Sequence, residues 1–282
     1  MKKHIGIIGG GAAGMMAAVT AARKGTKVTI LERNDRIGKK ILQTGNGKCN
    51  LGNKNLTVEC YHGGDAAWIK QALERFGTED TVCFFQKIGL LIKEKNGYLY
   101  PVSEQAASVL DVLRYELQTL GVEIIYGCKV QKVERTRSGK LVVNDGDREW
   151  QFDAVILTCG GKAAPGTGSD GSGWKIAKKA GHTCIAPVPA LVQLRCLETD
   201  LLKGIAGVRA DSRVRILCDG RETDVERGEL QLTEYGISGI PIFQLSRDVN
   251  YLLRDRKTVM AEIDFLPDMT EESYENMKKT RR

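Results

Sequence analysis

The sequence predicts an α/β protein: a Rossmann-like domain with a mixed sheet and a β-meander, then a β-rich second domain and the start of a helical segment. Three observations predict it. The apolar run HIGIIG leads through GGGAAG into an Ala-rich stretch and then into KVTILE, a strand–turn–helix–strand unit of about thirty residues. A second buried-type run, FDAVILTCGG, delivers the chain into another glycine-rich loop. Beyond Pro187 the texture changes to alternating strands. The expected domains are 1–187, Rossmann-like, 188–266, β-rich, and 267–282, the start of a truncated helical subdomain.

At 282 residues, with 42% hydrophobic and 27% charged residues, the chain has the composition of a folded protein with a sizeable core. Its formal charge of +7 is dispersed, and the only dense basic cluster is the terminal KKTRR. Aromatics make up 6% and no aromatic-plus-basic motif occurs, so a small-molecule substrate is expected and a nucleic-acid partner is not. Eight cysteines, at 49, 60, 83, 128, 159, 184, 196 and 218, form no CxxC, and His4, His62 and His182 share no helical spacing. These patterns predict a reduced, cytoplasmic protein without a metal site. Nothing in the sequence speaks to oligomeric state.

Lys2 and Lys3 precede an uncharged run, Ile5 to Ala22, that superficially resembles a signal peptide or membrane span. Gly6, Gly9, Gly10 and Gly11 would weaken a membrane helix, and the run passes directly into KVTILE. The run therefore reads as a buried strand and a buried helix ending at Gly25, and no membrane partner is expected.

Helices are expected from Asp65 to Phe76 and from Thr78 to Ile88, each closed by a glycine. LLIKEKNGYLYP follows as a hairpin turning at Asn96-Gly97. Ser103 should cap a helix running to Leu120, and VEIIYG is another core strand. KVQKVERTRSGKLVVN reads as a meander turning at Ser138-Gly139, and GSGWKIAKKAG as a helix. The second domain is expected to hold strands PALVQLRC, VRADSRVRIL, GELQLTEYG and KTVMAEIDF, with one helix beginning near Pro241. Thr270 caps a last helix.

The chemistry lies in Gly9-x-Gly11-x-x-Gly14, which follows a strand, opens a helix, is expected to hold the cofactor with Ala12 and Ala13 as well, and is trailed by Glu32 at the end of the second strand. Gly9 permits the tight turn, Gly11 lets backbone N–H groups approach a pyrophosphate, and Gly14 lets helix and strand pack closely. Glu32 would accept hydrogen bonds from an adenosine ribose and would repel a 2′-phosphate, so FAD or NAD fits better than NADP. The blander reading, glycines serving close packing alone, leaves Glu32 unexplained. From Arg33 to Val58 runs a long Gly/Asn/Lys loop where a simple NAD dehydrogenase would soon have another helix, which favours the extended FAD. Backbone groups of Gly45, Asn46 and Gly47 would contact the ribityl chain or isoalloxazine, with Lys40 or Lys48 near a phosphate.

At these residues the chain resembles the BaiN-like, or aminoacetone-oxidase-type, family of FAD-dependent oxidoreductases, within the glutathione-reductase-like flavoproteins. The matching stretches are IGIIGGGAAGMMAA, ERNDRIGKKILQTGNGKCNLGN, LTCGGKAAPGTGSDGSGWKIAKKAGH, the PAL after Val188 and GELQLTEYGISGIPIFQLSR. The resemblance implies that Gly9, Gly11, Gly14, Glu32, Arg33, Lys40, Thr44, Gly45, Gly47 and Asn50 line FAD. It also implies that the Lys129-Val130 strand reads the adenine, and that Thr158, Cys159 and Gly160 form a second flavin-contacting turn. The family's pattern continues through a helical subdomain and a final glycine-rich segment beyond the residues present here.

The implied chemistry is two-electron: a reduced nicotinamide, NAD(P)H, bound transiently, passes hydride to flavin N5, and an organic acceptor or oxygen is then reduced. No second GxGxxG offers a nicotinamide site, and no catalytic residue is assigned. Disulfide-reductase relatives place two cysteines near position 49; Cys49 stands alone there, so it and Cys159 read as packing residues. His182 reads as structural, and Asp170 and Asp211 as capping or solvated carboxylates. Two alternatives stay open: an NAD-dependent dehydrogenase using the same fingerprint, and a protein without catalysis that binds flavin or associates with RNA through its basic surface.

Overall fold

The computed structural model describes residues 2–44 and 47–280. The chain divides into two compact units, Met1–Cys184 and Ile185–Arg282, three residues before the boundary expected at 187.

In the first unit, β1 (His4–Ile8), α1 (Ala12–Arg23) and β2 (Lys27–Leu31) form the expected βαβ motif. After the long loop come β3 (Gly52–Asn53), α2 (Ala66–Arg75), α3 (Thr78–Lys87) and the hairpin β4 (Ile92–Lys95)–β5 (Tyr98–Pro101). α4 (Ala106–Thr119) leads into β6 (Glu123–Ile125), and the meander β7 (Lys132–Arg135), β8 (Leu141–Asn144), β9 (Glu149–Phe152) precedes β10 (Ala154–Leu157) and α5 (Ser172–Lys179). The parallel sheet has the order β10-β1-β2-β6. Chain order thus moves from β1 outward through β2 and β6, then returns to the other side of β1. That reversal is the switch point where open α/β sheets bind ligands beyond their strand ends.

Period-two alternation buries both faces of this sheet. Ile7, Val28 and Ile30 join Met15, Ala18 and Val19 of α1 and Val109, Leu110, Leu113 and Leu117 of α4 in one core. Ile8 and Leu31 join Cys128, Val130, Val143, Phe152 and Ile176 in a second core on the opposite face. The uncharged N-terminal run is therefore the centre of a folded domain, and among the described residues no helix is long and apolar enough to cross a membrane.

One sequence expectation shifts in this unit. The helix expected from Ser103 begins only at Ala106, because Glu104 adopts a left-handed φ of 54° that helical geometry excludes; Ser103 Oγ instead accepts the Gln105 N–H. The hairpin at Asn96-Gly97 does form, with both residues left-handed at φ 53° and 84°.

The second unit holds β11 (Leu194–Arg195), α6 (Thr199–Gly204), β12 (Arg209–Cys218), β13 (Arg221–Thr233), β14 (Gly236–Gly239), α7 (Ile240–Arg254), β15 (Val259–Asp264) and α8 (Glu271–Thr280). Its antiparallel sheet, β11-β14-β13-β12-β15, packs Val214, Ile216, Leu230 and Ile237 beneath Ile242, Leu245 and Val249 of α7. PALVQLRC contributes only two ladder residues, since Leu191 is left-handed at φ 55°, and α6 is a helix the periodicity did not reveal. The strand expected at GELQLTEYG begins earlier, at Arg221, after an Asp219-Gly220 turn with φ 50° and 79°. Pro241 lies in the first turn of α7, and Thr270 Oγ1 accepts the Ser273 N–H of α8, as expected.

At the amino ends of the parallel strands, His4 Nε2 lies 2.8 Å from Thr29 Oγ1, which donates to Glu123 Oε2 at 2.8 Å. The hydroxyl's single proton goes to the carboxylate, so Nε2 carries the imidazole proton. The ring packs edge-on against buried Phe152 at 4.8 Å, and burial lowers its pKa. Folded His4 thus takes up a proton less readily than unfolded His4. Stability of the first unit is expected to decline as pH falls below the unfolded value of about 6.5, by at most about 1.4 kcal/mol per pH unit. Thermal unfolding across that range should show the decline, and His4→Gln should flatten it.

Candidate functional site

Three strand ends are stitched together beneath one cavity. The Gly9 N–H donates to Leu31 O at 2.9 Å, joining β1 to β2, and the Thr158 N–H donates to Ile8 O at 2.9 Å, joining β10 to β1. Thr158 Oγ1 adds a bond to Gly9 O at 2.8 Å. The cavity of about 410 Å³ opens above these ends and lies wholly within the first unit.

Its floor is the β1–α1 turn. Gly9 holds φ 107°, and a Cβ there would sit 2.8 Å from Thr158 O. A Cβ at Gly14 would lie 1.9 Å from Gly9 O, so helix and turn touch backbone to backbone. Gly11 differs: a Cβ would meet no protein atom within 4 Å, so the backbone borders open space. Gly11 is also the N-cap of α1, where no side chain caps the amides and no acidic residue enters the first turn. The head of α1 is left to attract an anion with its free N–H groups and partial positive charge.

Glu32 is 6% exposed, and this buried carboxylate is held by three hydrogen bonds. Oε2 accepts the Gly10 N–H at 2.7 Å; Oε1 accepts the Asn34 N–H at 2.8 Å and Asn34 Nδ2 at 2.7 Å. A carboxylate offers about four acceptor positions, so one is left for a ribose hydroxyl. Arg36, Lys39, Lys40 and Lys129 bring positive charge to the wall. Arg33 pairs with Asp170 at 2.8 Å and donates to Gly168 O at 3.1 Å. The guanidinium, with the Ser172 N–H at 3.0 Å, holds the Asp170 carboxyl well below the usual carboxylate range.

This combination of open helix amides, a buried carboxylate one strand away and surrounding cations suits a phosphate-linked, ribose-bearing molecule. The family described as the HI0933-like protein Rossmann domain matches residues 3–245. The chain belongs to that family. The HI0933-like match covers the first unit from residue 3 and continues into α7 of the second, and agrees with the BaiN-like resemblance of the motifs. The chain is 46% identical over 268 residues to a 3-dehydro-bile acid delta(4,6)-reductase of Clostridium scindens, covering 94% of this chain and 65% of that protein. It is 32% identical over 278 residues to a ribosomal RNA dihydrouridine synthase of Haemophilus influenzae, covering 97% and 67% respectively. A ribosomal RNA dihydrouridine synthase of Escherichia coli is 28% identical over 276 residues, covering 97% and 66%. The chain thus spans about two thirds of the length of these curated relatives.

Of the residues singled out in the sequence, Gly9, Gly11, Ala12, Ala13, Glu32, Arg33, Lys40, Thr44, Val130, Thr158, Cys159 and Gly160 line the cavity. Gly14 lies behind the turn in its packing role. Gly47 and Asn50 do not line it; Asn50 Oδ1 accepts the Gly52 N–H, closing a local turn. Gly45 and Asn46 lie outside the described residues. Lys48 turns away to Glu104, whose carboxyl is held down to about 2 by hydrogen bonds from Lys48 and Lys93. Asn34, Cys128, and Thr167, Gly168 and Ser169 also line the cavity, and sequence reasoning assigned none of them. An amide two residues beyond Glu32, and the polar centre of GTGSDG, were the available signals.

Three cysteines face this cavity and all are poor nucleophiles. Burial pushes the Cys49 thiol up, the Cys159 thiol up to about 11 and the Cys128 thiol up to about 12, with Asp145 adding to the last. Near pH 8 the thiolate fraction is on the order of 10⁻³ for Cys159 and 10⁻⁴ for Cys128. Alkylation of the native protein is expected to modify exposed Cys60 and Cys83 well before these three. Time-resolved peptide mass spectrometry reads the order directly.

Proposed function

We propose that the chain is the dinucleotide-binding part of an FAD-dependent oxidoreductase, driven by NADH or NADPH. Its acceptor would be a small organic molecule with a carbon–carbon double bond conjugated to a carbonyl, or oxygen. The observation that carries this reading is the open backbone at Gly11 beside the buried Glu32 carboxylate, in a chain of the HI0933-like family.

The residues present fit FAD. N–H groups at the head of α1 would face the pyrophosphate, with Arg36, Lys40 and Lys129 neutralising its charge. Glu32 would accept from the adenosine ribose, and its charge would repel a 2′-phosphate. Lys129 and Val130, which follow β6, would border the adenine. FAD is favoured over NAD because the loop after β2 supplies Lys40, Ile41, Thr44 and Cys49 to the same wall, where a second crossover helix would otherwise begin. When bound, FAD supplies two-electron chemistry at its isoalloxazine, while the protein binds and orients it. The class of acceptor is suggested by the relatives' names. Delta(4,6)-reduction of a 3-dehydro-bile acid and the making of dihydrouridine both denote hydrogen added across a carbon–carbon double bond.

Purified protein incubated with FAD should retain flavin through gel filtration, with the cofactor identified by mass. Gly11→Val, which fills the open space, and Glu32→Ala should each weaken FAD binding tenfold or more, a loss of about 1.4 kcal/mol. Tight NAD binding that FAD does not displace would overturn the assignment in favour of a nicotinamide dehydrogenase.

A further inference from the structure

The segment between β10 and α5 contributes Thr167, Gly168 and Ser169 to the cavity wall. It closes on itself: the Gly171 N–H donates to Gly161 O at 3.0 Å, Ala164 bridges to Ser169, and Thr167 Oγ1 donates to Ala164 O at 2.7 Å. None of residues 161–171 belongs to a hydrophobic core cluster. Its ties are polar: Ser169 Oγ donates to Cys159 O at 3.3 Å, and the others fall on two adjacent residues after β2. Arg33 holds Gly168 O and the Asp170 carboxylate, and Asn34 Nδ2 donates to Thr167 O at 3.3 Å.

The same Asn34 amide also donates to Glu32 Oε1 at 2.7 Å. The carboxylate poised for a ribose and the strap across the wall therefore share one donor. A strap secured by hydrogen bonds and one partly exposed ion pair, with no buried apolar anchor, opens at lower free-energy cost than the sheet it crosses.

We propose that residues 161–171 form a releasable strap on the cavity and that Asp170, through Arg33, is its latch, setting how fast a bound dinucleotide leaves. The proposal rests on the dinucleotide reading of the cavity. Asp170 is a positioning residue: its Oδ2 pairs with Arg33 while its Oδ1 accepts the Ser172 N–H at the start of α5. The two roles are separable. Asp170→Asn keeps an acceptor for the helix cap and removes the charge, whereas Asp170→Glu keeps the charge.

Two measurements test it on the whole chain. In ligand-free protein, hydrogen exchange of the Gly168 and Gly171 amides should quicken about fivefold in Asp170→Asn, the size of a well-formed, partly exposed ion pair. Asp170→Glu should stay near the wild-type rate, and the β1, β2 and α1 amides should not change. In FAD-loaded protein, release followed by flavin fluorescence after dilution should be about fivefold faster in Asp170→Asn and less sensitive to salt than in wild type, whose release should accelerate more steeply as salt rises. Wild-type exchange in Asp170→Asn overturns the latch, and a loosened strap with unchanged flavin release overturns its control of exit. Absence of flavin from wild type refutes the cofactor reading instead, and the ligand-free measurement still decides the latch.

Discussion

A single hydrogen bond, from the Gly10 N–H to Glu32 Oε2 at 2.7 Å, joins the end of the first strand's turn to the end of the second strand. An ionised carboxylate so thoroughly removed from water survives only if protein donors replace its hydration. Gly10 supplies one donor and Asn34 two. Their geometry requires the turn to stay tight, which in turn requires Gly9 at positive φ and Gly14 against the Gly9 carbonyl. The carboxylate, the turn and the helix head therefore hold one another in place, and the cavity above them is the consequence.

Around that rigid floor the walls are softer in a graded way. The sheet has apolar cores on both faces, which anchor its strands. The loop after β2 is fixed partly by Glu104, which draws Lys48 and Lys93 together and thereby holds the Lys48–Asn50 stretch near the β4–β5 hairpin. The strap after β10 has polar ties to Arg33, Asn34 and Cys159 and no residue in an apolar core. A cofactor that must be bound firmly at its phosphates and admitted from one side is served by that ordering of stiffness.

The cavity's cysteines fit the same picture. Cys49, Cys128 and Cys159 fill small spaces beside the floor, and the burial that makes them good packing residues keeps them protonated. Sulfur chemistry is thus suppressed where an electron-transfer group would sit, and the wall is chemically quiet.

Most of the fold was legible because it rests on local patterns. The short apolar runs HIGII and KVTIL name strands buried on both faces, and the glycine spacing with Glu32 names the turn. Asn96-Gly97 names a hairpin because only left-handed residues close it. The sequence by itself determined the βαβ unit and the glycine turn beneath the cavity, and it named some of the residues that line that cavity. Tertiary structure alone decided which polar groups meet across long separations: Arg33 with Asp170, Asn34 with Thr167, and Lys48 with Glu104 rather than with the cavity. It also decided the strand and helix ends at Glu104 and Leu191, where single residues take φ values that no periodicity records. Hydrophobic alternation repeats every few residues and so can be read along the chain. An ion pair between residues more than a hundred positions apart depends on how the sheet brings two loops together, and no local pattern encodes that distance.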